Sequence, residues 1–209
     1  MANYEKPDFW SLKAQKEGYP ARSVYKLKEM DEKFGLLKKG RGCVRVLDLG
    51  SAPGSWSLYV LRKLTGASFF VVSVDLSPLS RDHDKGLFDN GDFLFVKNDM
   101  TGTETREKIL TNGPYSLILS DAAPATIGSR SVDTLRSLEL AETALDYAES
   151  ALAVGGNLVV KVFQGGDTSA LLKRMRSSFE KAKSFKPEAC RAESFETYYL
   201  GLGRKKPST

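Results

Sequence analysis

From residue 44 onward, short apolar runs alternate with stretches in which apolar residues recur every three or four positions. The runs Val44–Leu49, Phe69–Asp75, Phe93–Lys97, Tyr115–Ser120 and Leu158–Phe163 predict strands. Most are continuous rather than alternating, which suits strands buried on both faces. Helical spacing falls at 56–64, 104–111, 133–153 and 167–181. Asp133 and Asp167 are the expected N-caps of the last two helices, and Gly155-Gly156 is the expected stop of the third. A final strand is expected at Thr197–Leu202, antiparallel at the end of the sheet. Ahead of the first strand, Ser23–Phe34 places Val24, Leu27, Met30 and Phe34 on one helix face. Strand–helix alternation of this kind predicts an α/β fold, a mostly parallel sheet with helices on both faces. The expected organisation is one domain over 1–209, with 1–43 as an N-terminal helical extension.

The first strand runs straight into Gly50-Ser51-Ala52-Pro53-Gly54, and a helix follows at once. In an open α/β sheet that order builds a nucleotide pocket at the carboxyl end of the first strand. A dinucleotide loop counted from Gly50 needs glycines at 52 and 55, where Ala52 and Ser55 stand. That spacing argues against a nicotinamide dehydrogenase. It predicts a nucleoside ligand without a pyrophosphate, with S-adenosyl-methionine as the candidate and Gly50 and Gly54 beside it.

Several strands end in carboxylates, where such a sheet presents ligand groups. Asp75 lies at the distance from the glycine loop where an acid receives ribose hydroxyls, and Asp99 is placed to accept from an adenine amino group. Asp121 follows Leu117-Ile118-Leu119-Ser120. Lys161 lies inside Leu158-Val159-Val160-Lys161-Val162-Phe163, where periodicity predicts burial. A lysine there is costly unless paired or neutral. Near another cation it is expected to lose its charge and serve as a base.

The chain has 209 residues, 41% hydrophobic, with no apolar run long enough to span a membrane and no apolar leader at its start. A cytoplasmic protein is expected. Cys43, Cys190 and the single His83 make no zinc or disulfide framework, and no metal is expected. The net charge of +5 is unevenly spread: residues 1–45 carry +5, 46–172 carry −6 and 173–209 carry +6. If the two basic ends fold onto one side they form a surface for a polyanion.

The Tyr25-Lys26-Leu27 helix, the Asp48–Trp56 loop, Ser120-Asp121-Ala122-Ala123-Pro124, Val159-Val160-Lys161-Val162-Phe163-Gln164-Gly165 and Ser194-Phe195-Glu196-Thr197-Tyr198 together resemble the RrmJ/FtsJ family of RNA ribose 2′-O-methyltransferases. The resemblance runs from about Arg22 to Lys205. It implies a Rossmann-like class I methyltransferase fold with a seven-stranded sheet. It also implies a Lys-Asp-Lys-Glu tetrad of Lys26, Asp121, Lys161 and Glu196. S-adenosyl-methionine is then expected on Gly50, Pro53, Gly54, Trp56, Asp75, Asp99 and Asp121. In this reading Lys161 is the general base, Asp121 and Glu196 orient the ammonium groups, and Lys26 helps to keep Lys161 neutral. RNA phosphates are expected on Lys6, Lys13, Lys16, Arg22, Lys28, Lys38 and Lys39, with Arg191, Arg204 and Lys205 opposite. The implied substrate is a uridine of large-subunit ribosomal RNA, within the assembled subunit, with no obligate protein partner. The alternatives are a tRNA anticodon-loop ribose or a non-catalytic assembly factor on the same fold.

Overall fold

The computed structural model describes residues 8–38, 42–191 and 194–207. Two helices, α1 (Phe9–Lys16) and α2 (Val24–Phe34), precede β1 (Val44–Leu49). The chain then runs through α3 (Ser55–Leu64), β2 (Phe69–Asp75), β3 (Phe93–Lys97), α4 (Thr103–Thr111), β4 (Tyr115–Ser120) and α5 (Arg130–Ala151). It closes with β5 (Leu152–Phe163), α6 (Ser169–Ser178), β6 (Phe179–Phe185) and β7 (Glu196–Arg204). The seven strands form one sheet in the order β3-β2-β1-β4-β5-β7-β6. The sheet is mixed, because β7 is antiparallel to both β5 and β6 while the pairings among β1 to β5 are parallel.

Side chains two apart on a strand share a face, and this sorts the core into two layers. Val44 and Val46 pack with Leu27, Met30, Leu58 and Leu61, beneath α2 and α3. Leu47 and Leu49 face the other way and pack with Ile109, Ala144, Leu145 and Ala148, beneath α4 and α5. The sequential strands diverge on either side of β1 and β4, which opens a crevice at their carboxyl ends.

Four local expectations are corrected. Phe179–Phe185 is a strand, not the end of a helix. Its Glu180, Lys181 and Lys183 favour helix locally, yet as an edge strand they keep a charged rim toward solvent. Helix α5 begins three residues before Asp133, with Ser129 as its N-cap; Asp133 is buried and accepts the Ile127 N–H at 3.0 Å. Thr168 is the N-cap position of α6, and Asp167 instead accepts the Ser169 N–H at 2.9 Å. The third helix stops at Ala151, so Gly155-Gly156 lies inside β5, near the register shift against β4.

Asp48 shares the inner face of β1 with Val44 and Val46 and is fully buried. Its Oδ2 accepts the Ser57 hydroxyl at 2.6 Å, and Ser57 lies 2.7 Å from the Ser73 hydroxyl. The other oxygen, Oδ1, has no partner among the described residues. Burial pushes this carboxyl up to about 7; the Ser57 hydrogen bond opposes the rise, and the charges of Asp121 and Asp75 add to it. Between the ordinary value of 3.8 and about 7, the folded protein keeps a proton that the unfolded chain has lost. This group's contribution to stability therefore falls as pH rises through that window. Asp48→Asn should flatten the fall and melt above the wild type at about pH 8. Thermal melts from about pH 5 to 8 check this, and parallel curves for the two proteins would contradict it.

Candidate active site

The loop after β1 is shaped by one steric demand. Gly50 adopts φ +70°, and a Cβ there would lie 2.5 Å from the Cα of Ala122 and 2.6 Å from its backbone nitrogen. Two backbones thus touch where the β1 and β4 exits meet, and only glycine fits. The N–H groups of Gly50 and Ser51 both reach the Val74 carbonyl, at 2.9 and 3.2 Å. Asp75, closing β2, accepts the Ala52 N–H on Oδ2 and the Ser77 N–H on Oδ1, each at 2.8 Å, and so splints the loop. The result is a cavity of 470 Å³ at the carboxyl ends of the strands. Gly50, Pro53, Asp75, Asp99, Asp121 and Lys161 line it, with Leu76, Met100 and Leu140 as apolar wall.

Four charged side chains from four elements meet beside this cavity. Lys161 on β5 lies 3.0 Å from Oδ1 of Asp121, just past β4, and donates to the Asp121 carbonyl as well. Lys26 on α2 lies 2.6 Å from Oε1 of Glu196, which begins β7. Antiparallel pairing sets Lys161 directly opposite Tyr198, so the two side chains share a face. The Tyr198 hydroxyl donates to Asp121 Oδ1 at 2.7 Å, while Lys26 Nζ stands 5.9 Å from the centre of its ring. Tyr198 also packs on Trp56, whose indole N–H donates to the Ser23 carbonyl at 2.8 Å. That bond pins the start of α2, and with it Lys26, to the start of α3.

The charges in this cluster balance. For Lys26, burial works against the ammonium, but Asp121 and Glu196 outweigh it and hold its pKa above the ordinary lysine value. For Asp121, burial works against the carboxylate, but Lys161, Lys26 and the Tyr198 hydroxyl outweigh it and hold the pKa below the ordinary value. Burial, then Asp121 and Glu196, push the Tyr198 phenol well above its ordinary value, so it remains a donor. Lys161, expected beside a second cation, stands against an acid first. Its nearest charged group is Asp121, and Lys26 has an acid of its own in Glu196.

A second cavity, of 250 Å³, adjoins the cluster and is lined by Arg22, Lys26, Arg191, Ser194 and Glu196. One cavity thus holds the Asp121–Lys161 pair and the other the Lys26–Glu196 pair. The FtsJ-like methyltransferase family profile matches residues 19–204, from the turn before α2 to the last residue of β7. This chain belongs to that family.

Curated relatives of this FtsJ-like methyltransferase align along nearly its whole length. A Treponema denticola protein named ribosomal RNA large subunit methyltransferase E is 49% identical over 202 residues, 97% of each chain. The Borreliella afzelii protein of the same name is 46% identical over 194 residues, covering 93% of this chain and 96% of its own. Among solved structures, a Plasmodium falciparum protein named provisionally as a ribosomal RNA methyltransferase aligns with TM-score 0.73 and 25% identity, covering 89% of this chain and 98% of its own. Human methyltransferase-like protein 13, solved in complex with SAH, shares the fold at TM-score 0.57 and 14% identity, with coverage of 87% and 82%.

Not every residue singled out from the sequence faces the cavities of this FtsJ-like methyltransferase. Gly54 and Trp56 do not line the larger one. The Trp56 indole is buried against Tyr198, so only its backbone, in the first turn of α3, remains as a ligand group. Among the basic residues, Arg22 and Arg191 line the smaller cavity. Arg22 is also ion-paired to Asp8 and donates to the Ala189 carbonyl. Lys13 and Lys16 lie on α1, and Lys28 on α2 pairs with Glu17 at 2.9 Å. Lys6 and Lys39 lie outside the described residues.

The two basic ends meet at Arg22 and Arg191, but the direction of β7 carries Arg204 and Lys205 away from them. That strand starts at the cluster with Glu196 and ends at Arg204, roughly 30 Å away for nine extended residues. Arg204 donates to the carbonyls of Leu152 and Glu149, and Lys205 to that of Arg176, all at the opposite rim of the sheet. Lys38 follows the far end of α2 and precedes the start of β1, so it too lies away from the cavities.

The sequence reading missed Tyr198, Leu76 and Met100. Tyr198 stands two residues past Glu196, which on a strand means the same face, and that signal was available. Leu76 and Met100 directly follow the two strand-end acids Asp75 and Asp99. Cys43 is exposed, Cys190 is buried, and both thiols are free. Burial, then Glu196, push the Cys190 thiol up to about 12. Among the described residues no group of His, Cys, Asp and Glu is placed to hold a metal, and no helix is long and apolar enough to cross a membrane.

Proposed function

We propose that this methyltransferase uses S-adenosyl-methionine to methylate a ribose 2′-hydroxyl, that of a uridine in large-subunit ribosomal RNA. The observation that carries the reading is the tetrad itself, Lys26, Asp121, Lys161 and Glu196, standing between two cavities of unequal character. The names of the curated relatives support the choice of ribosomal RNA.

The larger cavity fits the cofactor. Its volume lies in the range of small-molecule sites. Asp75 retains lone pairs for a ribose diol beyond those used by Ala52 and Ser77. The N-terminus of α3, entered from Pro53, offers backbone N–H groups of Ser55 and Trp56 to a carboxylate. Asp99 stands at the end expected for the adenine, with Leu76 and Met100 to cover the base. When bound, S-adenosyl-methionine supplies a methyl group activated on a sulfonium.

In this mechanism the ribose enters from the cavity of Arg22 and Arg191, and its 2′-hydroxyl approaches Lys161. The reacting form of Lys161 is the free amine, oriented by Asp121. It takes the proton of the hydroxyl as the new carbon–oxygen bond forms. Lys26, held by Glu196, steadies the negative charge developing on the oxygen. Burial of both lysines keeps water from competing for the methyl group. Arg22, Arg191, Lys13 and Lys16 neutralise phosphates on the same side and fix the position of the strand.

A radiolabelled-methyl assay with mapping of the modified ribose tests this proposal. Assembled large subunits should accept methyl at one uridine 2′-oxygen and outperform free tRNA. Preferential labelling of a tRNA anticodon loop would move the substrate. Transfer to no RNA would leave a binding factor. RNA affinity should also fall steeply with added salt while cofactor affinity stays nearly constant, checked by titrations of each ligand.

A further inference from the structure

One face of α1 is left over from both the core and the mechanism. Its inner side is committed: Ala14 is buried, and Trp10 packs on Tyr25 of α2 with ring centres 5.0 Å apart. On its outer side Phe9, Leu12, Lys13 and Lys16 follow the i, i+3, i+4, i+7 spacing of a single helical stripe. Phe9 is 68% exposed and Leu12 54%, a large apolar outlay for an eight-residue helix. The Phe9 ring is held at 72° to Trp10, so it is oriented without being covered. Phe9, Leu12, Lys13, Lys16 and Glu17 border a shallow hollow of 550 Å³ on this face.

We propose that this face is a stacking platform for an unpaired base of the RNA substrate, a nucleotide flanking the one that is methylated. The inference rests on the RNA reading given above. Its occupant follows from charge. Glu17 is paired with Lys28 and the Lys13 ammonium lies over the Trp10 and Tyr25 rings, 5.3 and 4.8 Å from their centres, so the stripe presents the Phe9 ring with the exposed Lys16 ammonium beside it and Lys13 at its inner margin. An apolar partner helix would satisfy Phe9 and Leu12 but leave the exposed Lys16 ammonium to be desolvated against an apolar surface. A single nucleic-acid strand supplies both halves at once, a π face for the ring and phosphates for the lysines. The platform is also continuous with the substrate side of the site. Asp8, the N-cap immediately before Phe9, is ion-paired to Arg22, and Arg22 lines the cavity that contains Lys26 and Glu196.

The test compares Phe9→Ala, Phe9→Tyr and Phe9→Leu in RNA binding and in methyl transfer, using large-subunit ribosomal RNA that the wild type labels. Because the side chain is exposed, each variant should fold and melt as the wild type does. Phe9→Ala should weaken RNA binding by about 5- to 150-fold, the span of losing one base–aromatic stack, with cofactor affinity unchanged. Phe9→Tyr should restore it and Phe9→Leu should not. The loss should persist at high salt, where the losses in Lys13→Ala and Lys16→Ala shrink. In a scan of RNAs each lacking one base near the target, one of them should bind the wild type as weakly as intact RNA binds Phe9→Ala.

Unchanged RNA affinity in Phe9→Ala overturns the platform, and so does full rescue by Phe9→Leu. A change in self-association on Phe9→Ala, measured by sedimentation, would make the face a contact between copies and likewise overturn it. Failure of the wild type to methylate any RNA would instead remove the functional reading. An active wild type with an indifferent Phe9 removes only the platform.

Discussion

Lys161→Met should cut methyl transfer by about 10²- to 10⁴-fold, the range for losing a positioned general base. Methionine keeps most of the buried stem, so strand β5 should pack as before. Asp121 loses its closest cation but keeps the Tyr198 hydroxyl at 2.7 Å and the nearby charge of Lys26. The cofactor contacts proposed at Asp75, Asp99 and the start of α3 are untouched. Affinity for S-adenosyl-methionine, measured by calorimetry, should therefore stay near the wild-type value while turnover collapses. That split distinguishes a chemical role from a structural one, because misfolding lowers both. Turnover close to that of the wild type would remove Lys161 from the reaction.

Gly50→Ala should do the opposite and destroy binding and stability together. The new methyl group would meet the backbone of Ala122 at 2.5 Å, and backbone on a strand exit cannot rotate out of the way. The φ of +70° adds strain for any residue with a Cβ. Left-handed strain and overpacking together should cost about 2–4 kcal/mol. Ala122 is the neighbour of Asp121, so relief of the clash would displace that acid and open the floor of the larger cavity, the proposed cofactor site. Urea denaturation and cofactor titration check the two effects. Gly86→Ala is the control: it shares a positive φ of +80°, but no atom lies within 4 Å of the added Cβ. It should show the strain alone, with cofactor binding retained. Equal losses in the two variants would mean that the contact with Ala122 is irrelevant.

Much of the architecture could be read along the chain. The five parallel strands, the glycine turn, the helices after β1 and β3 and the antiparallel final strand all carry local signals. Apolar runs bury themselves on both faces, and Gly-Pro punctuation sits where the backbone must turn. Edge strand β6 escaped, because Phe179-Glu180-Lys181-Ala182-Lys183 has helical composition and takes its strand form from hydrogen bonds to β7, a partner distant in sequence. Helix caps were misplaced by a few residues for a related reason. An acid such as Asp133 signals a nearby helix start, but whether it caps or is buried depends on the loop folded over it.

The site divides along the same line. Residue types and order pointed to a nucleoside pocket without a diphosphate and to Lys161 as a lysine with an unusual position, since both are properties of short contiguous stretches. Tertiary structure alone decided the ion pairing within the cluster, because Lys26, Asp121, Lys161 and Glu196 come from α2, the end of β4, β5 and β7, and their distances exist only once those elements pack. It alone turned Trp56 into a strut beneath Tyr198. It alone sent Arg204 and Lys205 to the far rim, since a strand's direction in the sheet cannot be read from its charges. Local chemistry is written in neighbours along the chain, whereas electrostatics depends on distances through space, and only folding supplies those.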